Sequence, residues 1–178
     1  TKPMTRSPTE RTLQASADDH RIASLAALAI ALGMVDAAIP SPLPGVKPGL
    51  ANIMTLFALH TLGWRAAVWV TLLRVVGAGL LLGSLFTPGF WLSLGGALAS
   101  LLLLGACRAL PERHFSLVSH SLLAAQAHLL GQLLLVRLFL IPYDNILLLF
   151  PPLALAALLG GIANGLIASH LVQAHDKD

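Results

Sequence analysis

Arg74 stands eight positions into the apolar run that begins near Ala66. At about 1.5 Å per residue, that places it roughly 12 Å from the run's edge. An ionisable side chain among apolar neighbours is costly in lipid, so it marks a candidate for binding an anionic group. Gly77, Ala78 and Gly79 follow it and leave room beside the guanidinium. An ion pair with Asp36, or a side chain snorkelling to the nearer surface, would explain it structurally. Asp36 ends an earlier apolar run and Lys47 closes the loop that follows. The two can pin that loop as a pair, or both can face a solute. Asn52 and His60 fall within about 80° of one another on a helix. Ser121, His128 and Gln132 share one stripe of a later run. Amide and imidazole groups can hydrogen-bond a polar solute or bridge helices, and spacing alone does not separate the two. His60 and His128 would form an axial haem pair only at equal depth; their expected depths differ, and no cofactor or metal is implied. Asp36, Lys47, Asn52, Arg74, His128 and Gln132 are therefore the candidate solute-binding residues.

The elements that carry these residues follow from composition. Of 178 residues, 56% are hydrophobic and 11% charged, with mean hydropathy +0.80. A water-soluble domain carries about 25% charged residues. This composition excludes a soluble enzyme, a disordered chain and, despite a pI near 9.6, a nucleic-acid-binding module. Cys107 is the single cysteine, so no intrachain disulfide or Cys-rich metal site exists. Six segments approach the 20 or so apolar residues that span a bilayer. They run over Arg21–Ile39, Pro48–Trp64, Ala66–Phe86, Pro88–Ala109, Val118–Ile141 and Ile146–Leu171. Pro- and Gly-rich breaks separate them, the longest being Pro40 to Gly45. Pro151-Pro152 would be expected to interrupt the last one near its start. The expected fold is all-α, an integral membrane bundle of about six helices. Residues 1–20 are expected to be a flexible tail, 21–171 the transmembrane domain and 172–178 a short tail.

Lys and Arg distribute unequally between the two faces. Lys2, Arg6, Arg11, Arg21, Arg65, Arg108, Arg113 and Lys177 share one side, against Lys47 and Arg137 on the other. By the positive-inside rule both termini are expected on the cytoplasmic side of the membrane. Ala23, Ala27 and Ala31 form a small-residue stripe that permits close helix contact. Gly161 and Gly165, in GxxxG spacing, suggest a second packing face. No P-loop, H-E-x-x-H or G-x-S-x-G motif occurs. Asp18-Asp19 is followed by Ile22 rather than a third acid, so no diphosphate-binding array is present. An enzyme active on its own is not expected.

The stretch Gly45-Val46-Lys47-Pro48-Gly49-Leu50-Ala51-Asn52-Ile53-Met54-Thr55-Leu56 resembles a bacterial membrane family known as heptaprenyl diphosphate synthase component I or Gx transporter. The resemblance continues through Leu73-Arg74-Val75-Val76-Gly77, Leu92-Ser93-Leu94-Gly95-Gly96 and Ala127-His128-Leu129-Leu130-Gly131-Gln132, covering about residues 22–170. Two positions depart from it: Pro48 replaces a common aliphatic residue, and Leu129 replaces a usual Asn. The family is similar to the substrate-binding S components of energy-coupling factor transporters. That likeness implies six helices, a vitamin-like solute near the outer face, and docking of the first helix's small residues on a transmembrane partner served by ATPases. Ala23, Ala27 and Ala31 match the docking stripe. Other expectations from the family are an accessory role beside flavin- or quinone-linked redox subunits, or a non-catalytic partnership with a prenyl diphosphate synthase.

Overall fold

The computed structural model describes residues 16–39, 49–108, 116–140 and 148–177; Lys47 and most of the first loop lie outside these. The described residues form α1 (Ala17–Ala38), α2 (Ala51–Thr61), α3 (Trp64–Leu81), α4 (Pro88–Cys107), α5 (Leu117–Leu135) and α6 (Phe150–His175). There is no strand among them. A π-helical turn, Val136–Leu140, extends α5. With that extension, five helices are long and apolar enough to cross a membrane. The protein is an all-helical, multi-pass membrane bundle. Its lipid-facing surface shows in Leu102 and Phe139, which are 76% and 77% exposed although they lie on apolar helices.

Local chemistry sets the helix starts. Ser16 accepts a hydrogen bond from the Asp19 N–H at 3.2 Å while the Asp19 carboxylate accepts from the Ser16 N–H at 2.8 Å. This capping box begins α1 at Ala17, inside the segment expected to be a flexible tail. Thr87 caps α4 with Pro88 in its first turn, and Ser116 caps α5. Pro151 and Pro152 also occupy a first turn, where a missing N–H costs nothing, so they open α6 instead of interrupting it. α6 then runs to His175, four residues beyond the expected end of the last span.

The second element departs most from expectation. α2 has 11 residues, about 16 Å at 1.5 Å per residue, well short of a hydrocarbon core about 30 Å thick. It is nonetheless the most enclosed element, with Ala51, Ile53, Met54, Thr55, Leu56 and Ala58 all buried. Its apolar residues are spent on protein contacts. Ala29, Ala66, Val70 and Ala168 complete a core around it, joining α1, α3 and α6.

Packing is closest where glycines meet. α4 crosses α5 at Gly95 and Gly131; a Cβ on Gly131 would stand 2.9 Å from the Gly95 carbonyl oxygen. α5 and α6 meet at Gly161 and Gly165, whose Cβ positions fall 3.1 Å from the Leu122 Cα and 2.7 Å from the Val118 Cα. The GxxxG pair thus serves packing, as its spacing suggests. Ser121 lies in that seam with its hydroxyl buried and without a hydrogen-bond partner among the described residues. Ser121→Ala should therefore leave thermal stability unchanged or raise it by about 1 kcal/mol. A loss of that size in detergent-solubilised protein would contradict this.

Candidate functional site

Arg74 occupies the middle of α3, half-buried, with its charge inside the bundle. Two groups on other helices lie within its electrostatic reach: the buried Asp36 carboxylate of α1 and the His128 imidazole of α5. The structure thus brings three sequence-predicted residues, from three helices, into one cluster. A buried cation near a carboxylate and an imidazole can hold an anion, with the imidazole supplying a hydrogen bond.

The seat of His128 is a glycine of α4. A Cβ on Gly96 would lie 2.7 Å from both Cδ2 and Nε2 of the ring. The imidazole consequently rests on bare backbone, at a distance no side chain would permit. Gly96→Ala should displace His128 and cost about 1–3 kcal/mol. The cost should vanish in a His128→Ala background, and a double-mutant cycle of thermal stability checks the coupling.

The remaining candidates are arranged differently. Asn52 and Gln132 are half-buried, on α2 and one turn beyond His128, and neither side chain makes a hydrogen bond among the described residues. Lys47 lies outside those residues. His60 is exposed in the last turn of α2, whereas His128 lies mid-way along α5. Ala23, Ala27 and Ala31 are all exposed on α1, whereas Ala26 and Ala29 face the core. Two shallow surface grooves flank Trp69, and Arg74 lines neither. One, about 250 Å³, is lined by Asp19, Ile22, Ala23, Trp69 and Leu73; the other, about 240 Å³, by Trp64, Arg65, Val68, Trp69 and Leu72.

Several polar links escaped the sequence reading. The Thr55 and Thr71 hydroxyls hydrogen-bond at 3.0 Å, joining α2 to α3 one turn before Arg74. The Ser100 hydroxyl donates to the Ala124 carbonyl at 2.7 Å, and the Gln126 amide to the Ala154 carbonyl at 3.0 Å. The Asn164 amide of α6 donates to the Gly49 carbonyl at 3.2 Å, holding the entry to α2. Gly49 has φ +72, a conformation that favours glycine. Each joins residues distant in the chain, so no local spacing announces the pairing. Only the glycine pair Gly95-Gly96 carried a signal, through its place in the family resemblance.

Arg74, Gly96 and His128 all lie within residues 25–171, over which the chain matches a known family, described as heptaprenyl diphosphate synthase component I. The chain belongs to that family. No curated protein and no solved structure matches it. For this component I family member, the matched region takes in α2 to α5 whole, α1 from residue 25 onward and α6 as far as residue 171.

Proposed function

We propose that this component I family member is a membrane-embedded solute-binding subunit, related in role to the S components of energy-coupling factor transporters. The observation that carries the reading is the convergence of Arg74, His128 and Asp36 from three helices inside the bundle. The solute is a small anionic or vitamin-like molecule. Arg74 offsets its charge, with Lys47 adding a second cation from the first loop. His128, Asn52 and Gln132 supply polar contacts, and Asp36 orients Arg74. No residue acts as a catalyst. The exposed Ala23, Ala27 and Ala31 stripe docks a transmembrane coupling subunit, and two ATPases drive uptake. Both termini face the bacterial cytoplasm.

A second reading is favoured by the family description itself. A component I implies a second synthase component, to which this subunit would contribute a membrane anchor without chemistry of its own. An accessory place beside flavin- or quinone-linked redox subunits is the third.

Gentle purification from the native membrane, followed by mass spectrometry of the accompanying proteins, tests the assignment. ATPases with a transmembrane partner are expected. A soluble prenyl diphosphate synthase, or flavoprotein and iron–sulfur subunits, would overturn it in favour of the corresponding alternative.

A further inference from the structure

Five histidines lie at one face of the bundle. His20 and His120 sit in the first turns of α1 and α5, His60 in the last turn of α2, and His170 and His175 in the last two turns of α6. Contacts between elements show that these helix ends share a face. Asp19 of α1 is within electrostatic reach of Arg65 of α3. Arg108, ending α4, stands 5.8 Å over the Trp64 ring of α3. His175 packs edge-on against Phe57 of α2 at 5.6 Å. Leu117 of α5 and Ala168 of α6 join the same core as Ile22 and Leu62. Of the six described histidines, only His128 lies elsewhere.

Among the described residues, the fixed charges on this face nearly balance. Arg21, Arg65, Arg108 and Lys177 stand against Asp18, Asp19 and Asp176. The histidines therefore decide how positive the face becomes. Histidine is the side chain whose charge changes between about pH 5 and 8. Four of the five are exposed, and His120 is half-buried. The Nδ1 atoms of His20 and His120 lie 3.0 and 3.1 Å from the carbonyl oxygens of Ser16 and Ser116. A carbonyl only accepts, so Nδ1 is the donor in each.

We infer that this histidine-lined face binds anionic phospholipid headgroups, and does so more tightly as the pH falls. The occupant follows from charge complementarity and place: the face rims a membrane-crossing bundle, so headgroups surround it. The exposed Trp69 and the neighbouring Trp64 sit beside Arg65 and mark the same level, as aromatic residues do at the bilayer interface. This property is independent of whether Arg74 holds a solute.

The test uses the full chain carrying Trp91→Phe, so that Trp64 and Trp69 report. The protein is reconstituted in phosphatidylcholine bilayers containing brominated phosphatidylglycerol, whose bromines quench tryptophan on contact. The preference for phosphatidylglycerol should rise about fivefold between about pH 7.5 and pH 5.5, as accumulated cationic charge near the surface predicts. A variant with His20, His60, His120, His170 and His175 all replaced by glutamine should show no rise. If that variant does not fold, salt replaces it: about 0.5 M salt should abolish the rise in the parent protein. A flat profile, or a rise that survives the histidine replacements or the salt, overturns the inference. So does a face that binds soluble polyglutamate at low pH while showing no lipid preference, since that marks an acidic protein partner.

Discussion

Arg74→Glu should destabilise the bundle by at least about 3 kcal/mol, because it turns a compensated buried charge into a repulsive pair. Asp36 is buried on α1 within electrostatic reach of position 74, and a glutamate there would face it across a low-dielectric interior. Arg74→Lys keeps the charge and should cost much less, though it loses the planar fork. Exchanging both charges, Asp36→Lys with Arg74→Glu, should recover part of the loss. Thermal unfolding of the four proteins in one detergent checks the order. An Arg74→Glu protein as stable as the parent would show that position 74 does not share its environment with Asp36.

Gly131→Leu should be comparably damaging for a different reason. Even a Cβ at Gly131 would stand 2.6 Å from the Ala99 Cβ and 2.9 Å from the Gly95 carbonyl oxygen. These are backbone and near-backbone atoms, which cannot rotate away as a flexible side chain does. The helices α4 and α5 must separate, and the His128 seat on Gly96 separates with them. A loss of about 3 kcal/mol or more is expected, at the upper end for overpacking. Leu134, in the same helix but 59% exposed to lipid, provides the contrast: Leu134→Ala should cost under about 1 kcal/mol, since it leaves no internal cavity. Equal losses at the two positions would contradict the proposed seam.

The helical, membrane-spanning character was legible because composition and run length act on the whole chain. Arg74 was legible as a candidate because a lone charge in an apolar run is costly in lipid. Its partners were harder. Asp36, 38 positions earlier, reads equally well as a partner for Lys47, and only the packing of α1 on α3 brings it within reach of Arg74. Gly96 as the seat of His128 was invisible, since a glycine in an apolar helix reports space without saying who fills it. α2 misled for a related reason. Its apolar residues suit lipid and protein alike, so hydropathy could not show that six of its 11 residues are buried in a core shared with α1, α3 and α6. The prolines at 151 and 152 read as a break because their meaning depends on position within the helix, which Phe150 fixes.

The most direct measurement compares the small molecules released from purified wild-type protein and from Arg74→Ala, with folding of both verified by a cooperative thermal transition. The account predicts a discrete anionic solute on the wild-type protein. It also predicts at least about tenfold lower occupancy on the variant, the loss of one charged hydrogen bond. Equal occupancy on a folded Arg74→Ala protein would contradict the assignment of Arg74 as the anchor of the site.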